Sequence, residues 1–298
     1  MQRICSRNER TLARPVAVSG RGMLTGQPVT LRLLPAAART GVVFVRTDLP
    51  GTPQVPACVD QVSATDRRTT LGHGSTTIML VEHVLAALSG LRVDDCWVEL
   101  DGPEPPGGDG SAGCFVRAIE QAGLVAQPTQ RARWAVTQRL VVAQGEATIA
   151  VYPHDRDELI ISYLLDYGTG APIPPQRVSV AITPQSFRRA VADARTFLLL
   201  DEARRLHQQG LGQHVRPADV VVFGPSGPIE TTLRFGDEPA RHKILDMIGD
   251  LSLAGIDLVG HVVAYRSGHQ LNIALARQLR QWHQAIASGP WRCAGRAA

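Results

Sequence analysis

The sequence predicts an α+β fold, and three observations carry that prediction. Short β-rich runs are followed by pairs of helical segments, rather than alternating one for one as a parallel α/β sheet requires. A stretch that follows residue 87 can be laid without a gap on one that follows residue 252, which suggests two related halves. The chain has 298 residues, 44% of them hydrophobic, enough for one large domain or two of ordinary size.

Taken in order, strands are expected at residues 29–33, 41–46, 96–100, 148–152, 159–163 and 178–182, where β-branched and aromatic residues cluster between turn formers. Helices are expected at about 80–90, 112–123, 185–192, 200–209, 239–253 and 270–287. The repeat aligns residues 88–100 with residues 253–265. Both read as helix end, glycine (Gly90 or Gly255), short turn and β-rich strand, and each meets a Gly-containing loop and a further helix. Residues 124–134 are polar and hold a proline, so they make the best domain boundary. An N-terminal α+β domain over 1–126 and a C-terminal one over 127–298 are expected.

Composition narrows the function classes. The balance of 31 basic and 27 acidic residues comes with no block of like charge, which leaves nucleic-acid binding without support. A mildly positive field suits a small anionic substrate. Five cysteines (Cys5, Cys58, Cys96, Cys114, Cys293) are an odd number without a CxxC pair, which argues against a disulfide framework and a cysteine-zinc site. Cys96 and Cys114 read as small core residues. The first residues lack the apolar stretch of a secretory signal, and no run of 18 apolar residues exists. A soluble cytoplasmic protein without a spanning helix is expected.

The chemistry concentrates in two places. His242 and Asp246 stand one helical turn apart, with Lys243, the sole lysine of the chain, between them and Asp250 a turn further on. Side chains four apart on a helix are about 5–6 Å apart at Cβ, so an imidazole and a carboxylate can converge on one metal ion. Taken alone, the same pair reads more simply as an ordinary ion pair on a solvated helix face. Far upstream, Glu82 and His83 interrupt an apolar helical run, where a charged side chain is costly to bury without a partner. A metal would be one partner; a helix-start pair at the surface is the plainer reading.

Several motifs occur together in a fixed order: Glu82-His83, Asp109-Gly-Ser-Ala, Ala194-Arg-Thr-Phe, Leu233-Arg-Phe, Arg241-His-Lys-Ile-Leu-Asp, Ile248-Gly-Asp and Ser267-Gly-His. In this set the chain resembles the UDP-3-O-acyl-N-acetylglucosamine deacetylases, zinc enzymes of lipid A synthesis, from about Arg10 to His283. The resemblance implies a duplicated α+β unit whose helices are sandwiched between two sheets. It implies zinc held by His83, His242 and Asp246, with Glu82 as general base. His269 would be the second catalytic group, Asp250 would orient it, and Thr196 would contact the carbonyl oxygen. Lys243 and Phe197 would hold the nucleotide-sugar part of an acylated UDP-amino sugar. An insert at about 195–222 would form a passage for the acyl chain. Three protein ligands leave a fourth zinc position open, as hydrolysis needs. The protein would act as a monomer, with at most transient contact with a membrane surface.

The chain also departs from the family pattern. Leu24 stands where histidine is usual, residues 210–219 lack a Gly-Gly-Ser type of turn, and Ile78-Met-Leu-Val precedes Glu82 where Ser-Thr-Val is common, so the helix loses a hydroxyl cap. Two alternatives stay open: a zinc amidohydrolase of the same fold on another N-acetyl sugar nucleotide, and a silent homologue that only binds. A His/His/Asp site would also accept iron or cobalt.

Overall fold

The computed structural model describes residues 1–217 and 219–287; Cys293 lies outside them. In chain order the first half contains β1 (Gln2–Leu12), β2 (Val16–Arg21), β3 (Pro28–Pro35), β4 (Val42–Arg46), β5 (Gln54–Pro56), β6 (Val62–Ala64), β7 (Thr70–Leu71), α1 (Glu82–Gly90), β8 (Cys96–Leu100) and α2 (Gly113–Ala122). There follow β9 (Leu124–Ala135), β10 (Leu140–Gln144), β11 (Ala147–Tyr152), β12 (Leu159–Leu165), β13 (Gln176–Ala181), α3 (Pro184–Ala190), β14 (Phe197–Leu199) and α4 (Leu200–Gln208). The chain then forms β15 (Val221–Gly224), β16 (Gly227–Pro228), α5 (Glu238–Ser252), β17 (Asp257–Tyr265) and α6 (His269–Ala287). All six expected helices are present within two residues of their expected ends, as are the six expected strands and the strand of the second repeat.

Two sheets share one pattern. The first runs β2-β3-β8-β4-β5, with β8 antiparallel to β3 and parallel to β4. In the second, β10-β11-β17-β12-β13, the strand β17 is antiparallel to β11 and parallel to β12. Helix α2 lies on β2, α6 on β10 and β11, and α5 on β12 and β13, while α1 lies along α5. The helices therefore fill the space between the sheets. Strand faces agree: Val29, Leu31 and Leu33 point into the core, while Thr30 and Arg32 between them are half-buried and exposed.

Residues 124–134 are not an irregular connection. They form β9, which pairs antiparallel with β1 and, through its last three residues, parallel with β17. The polar composition reflects a strand that buries little of either face. Strand β1 thus joins the second sheet although it opens the chain.

At the helix end the repeat is also shifted by two residues from its gapless alignment. Gly90 is the last residue of α1, whereas Arg92 adopts the left-handed backbone (φ 58°) that Gly255 (φ 74°) adopts after α5. Val93 donates its N–H to the Leu88 carbonyl, closing α1 in the manner of a Schellman motif. In this register Asp94 corresponds to Asp257, and both carboxylates hold Arg7, at 2.7 Å and 2.6 Å.

Helices α1 and α5 approach backbone to backbone. A Cβ on Gly249 would come within 2.1 Å of the Glu82 carbonyl oxygen, so only glycine permits this crossing. Cys96 is fully buried, and Cys114 packs against the core from a half-buried position.

Candidate metal centre and active site

Glu82 and His83 open α1, and His242, Asp246 and Asp250 descend one face of α5. The crossing at Gly249 brings those helix segments together. His242 and Asp246 are only 2% and 3% exposed, which excludes an ion pair on a solvated face. Among the described residues, one group brings three potential ligand atoms within 4.8 Å of one another: His83, His242 and Asp246. The Nε2 atoms of His242 and His83 stand 3.3 Å and 3.7 Å from Asp246 Oδ1. Ligands bound tetrahedrally at about 2.0–2.1 Å stand roughly 3.3 Å apart, so the donor set fits a small divalent cation. The Ala194 carbonyl, 2.9 Å from His242 Nδ1, fixes the ring and leaves Nε2 facing the centre. Lys243 Nζ donates to the other Asp246 oxygen at 3.0 Å.

A second set of groups stands beside the first. Glu82 Oε2 accepts the Thr69 N–H at 3.1 Å, and its Oε1 lies 4.0 Å from His269 Nε2. His269 Nδ1 is 2.9 Å from Asp250 Oδ2, an oxygen that also accepts from Asn272 at 2.9 Å. Thr69 Oγ1 donates to the other Asp250 oxygen at 2.5 Å. His269 follows Gly268 but is the first residue of α6 rather than part of a loop.

Electrostatics separates these groups. Burial pushes the Glu82 carboxyl up, against the pull of the His269 and His83 rings. Burial likewise pulls His242 down to about 4, which keeps its imidazole neutral, as ligation requires. Burial also works against the charged forms of Asp246 and Lys243, yet the two charges outweigh it. Asp246, with His242 and Lys243 beside it, is held well below the usual carboxylate range, and Lys243 is held above its ordinary value. His269 is raised to about 9: burial opposes its charge, but Asp250, by charge and hydrogen bond, outweighs it.

The cavity above these residues measures about 420 Å³. Thr196, Phe197 and Lys243 line it, with Lys243 Nζ 5.6 Å from the Phe197 ring centroid. Phe197 is both a buried residue of β14 and part of the cavity wall. Leu198 also lines the wall, and Leu198, Leu199 and Leu200 are half-buried where β14 passes into α4. Met23, not Leu24, is the residue of that loop in the wall. The Leu24 and Thr25 N–H groups are held by the buried Glu104 carboxylate at 3.0 Å and 2.7 Å, and the Leu24 carbonyl accepts from Gly212, tying the loop to the 210–219 segment. Helix α1 has Val81 at its N-cap and no side-chain cap, as its sequence implied.

Sequence reading missed the supports. Thr69 and Asn272 hold Asp250, and nothing in their spacing marks them. Arg195 and Glu238 form a buried pair at 2.8 Å; Glu238 also accepts the backbone N–H groups of Arg195 and Arg234. This pair flanks Ala194, whose carbonyl orients His242. The Glu238-Pro239 pair at the head of a helical run was the available signal.

Comparison with known proteins decides the family. A family model described as UDP-3-O-acyl N-acetylglycosamine deacetylase matches residues 9–281. The chain belongs to the UDP-3-O-acyl N-acetylglycosamine deacetylase family. Relatives named UDP-3-O-acyl-N-acetylglucosamine deacetylase agree. The one from Chlamydia pneumoniae is 42% identical over 275 residues, covering 92% of this chain and 97% of the relative. One from Nostoc sp. is 41% identical over 276 residues, covering 91% and 98%. Another, from Bdellovibrio bacteriovorus, is 37% identical over 272 residues, covering 91% and 89%. Both polar clusters, on α1 and on α5–α6, lie inside the matched span.

Proposed function

We propose that the chain is a zinc-dependent deacetylase that removes the N-acetyl group of UDP-3-O-acyl-N-acetylglucosamine, yielding acetate and the free 2-amino sugar nucleotide for lipid A synthesis. The observation that carries this reading is the convergence of His83, His242 and Asp246 beside Glu82, in a chain whose relatives bear that name over nearly their full length. Zinc at these three ligands would supply Lewis acidity and lower the pKa of water from 15.7 to about 7.

The remaining steps belong to side chains. Glu82, whose proton affinity burial raises, takes the proton of the attacking water and can return one to the departing amine. His269, kept cationic by Asp250, stabilises the developing oxyanion together with the Thr196 hydroxyl. Lys243 and Phe197 take the nucleotide-sugar portion, an ammonium for the anion beside an aromatic face. Residues 1–126 supply Glu82 and His83, and residues 127–298 supply the rest. No helix among the described residues is long and apolar enough to cross a membrane; we read the protein as a cytoplasmic monomer that meets its acylated substrate at most transiently at a membrane surface.

The test is metal analysis joined to an acetate-release assay. One zinc per chain and acetate release are expected, and Glu82→Ala should keep the zinc and lose about 10²–10⁴ in turnover. Nucleotide binding without acetate release would make the chain a silent homologue, and undiminished turnover in the variant would remove Glu82 from the chemistry.

A further inference from the structure

Helices α1 and α5 enclose a second cavity, of about 190 Å³, at the ends remote from the metal centre. It shares no lining residue with the catalytic cavity. Its walls are apolar where Leu85, Leu88, Ile248 and Leu251 line it. Four guanidiniums also line it, those of Arg7, Arg92, Arg131 and Arg133, against two carboxylates, Asp94 and Asp257.

The carboxylates are already engaged. Arg7 bridges both, Arg131 Nε lies 3.2 Å from Asp94, and Arg133 Nε lies 3.5 Å from Asp257. Arg92 has no hydrogen-bond or ion-pair partner for its side chain among the described residues. It is half-buried and held in the left-handed backbone region (φ 58°). Burial, with Arg7, Arg133 and Arg10 nearby, destabilises its charge more than Asp257 supports it. The cavity therefore combines two uncompensated positive charges with an apolar wall. A bare anion would leave that wall unused, and a neutral apolar molecule would leave the guanidiniums crowded.

We propose that this cavity binds a small anionic amphiphile, with a carboxylate or phosphate ester at Arg92 and a short apolar tail against Leu85, Leu88, Ile248 and Leu251. The site is independent of the catalytic cavity, although both lie along the same two helices.

Calorimetric titration of the full chain with octanoate, hexyl phosphate, inorganic phosphate and 1-octanol tests this. Octanoate and hexyl phosphate should each bind with an affinity that falls as salt is added. Arg92→Gly removes the guanidinium and suits the left-handed backbone, so the variant should remain folded. It should bind both amphiphiles about 10-fold more weakly, the loss expected for one charge-assisted hydrogen bond. Arg39→Gly makes the same change at another left-handed position (φ 67°), exposed and outside the cavity, and should bind as the parent does. Unchanged amphiphile affinity in Arg92→Gly would overturn the proposal, the ligand then residing elsewhere. Inorganic phosphate binding as tightly as hexyl phosphate would overturn the role of the apolar wall, and octanol binding as tightly as octanoate would overturn the role of charge.

Discussion

At the residue scale, the charged groups of the candidate site lie where opposing electrostatic effects are balanced. Lys243 is kept charged in a buried setting by Asp246, 3.0 Å away, and also faces the Phe197 ring. Lys243→Ala should raise KM about 10-fold with a smaller change in kcat, since a charge-assisted contact to substrate is worth roughly one decade; an effect confined to kcat would place Lys243 in the chemistry. Glu238 behaves as a structural carboxylate. Burial raises its proton affinity, but Arg195 and two backbone N–H groups outweigh burial and hold it below its ordinary value. A carboxylate depressed in the folded state contributes stability above its unfolded value of about 4.3, and that contribution is lost as pH falls through the folded value. Glu238→Gln should therefore cost about 3–5 kcal/mol at pH 7, because it leaves Arg195 buried without its counter-charge. The gap from the parent should close as pH falls below about 4, which urea titrations at several pH values would measure. The converging His83, His242 and Asp246, and Glu82 beside them, were legible as polar interruptions in apolar helical runs. Thr69, Asn272 and the Ala194 carbonyl were not, because their roles depend on chain segments distant in sequence.

At the element scale, helices were more legible than strands. A period near 3.6 with glycine stops marks α1 and α5 without tertiary information. Strand β9 escaped because its residues are all half-buried or exposed and include Gln, Arg and Pro, a composition shared with loops. The repeat was visible but mis-registered at the helix end, since Gly90 imitates the stop that Arg92 provides. The α1–α5 crossing determines whether the two clusters meet at all. Gly249→Ala should push the helices apart, costing about 1–3 kcal/mol in denaturant titrations. It should also lower metal affinity under chelator challenge, because His83 departs from His242 and Asp246. A variant that loses stability but keeps its metal affinity would show that the crossing is not what positions the ligands.

At the scale of the whole molecule, one arginine ties the halves together. Arg7, on the strand that opens the chain, binds Asp94 from the first half and Asp257 from the second. Arg7→Ala should cost about 2–4 kcal/mol, since Asp94 and Asp257 then keep only Arg131 and Arg133. The thermal midpoint should fall, and one cooperative transition should broaden or split if the halves lose their coupling; an unchanged midpoint would mean that the remaining arginines suffice. Two matching sheets were foreseeable from the repeat and the resemblance. The passage of β1 into the second sheet was not, because pairing across more than a hundred residues leaves no local trace.

The single lysine has a practical consequence. The sequence contains one ε-amine, and it stands in the wall of the cavity beside the candidate metal centre, against Asp246 and Phe197. Reductive methylation with isotope-labelled formaldehyde would give the chain one dimethyl-lysine resonance. That signal, distinct from the one of the dimethylated Met1 α-amine, would follow occupancy of the cavity in solution without a substitution in the chain.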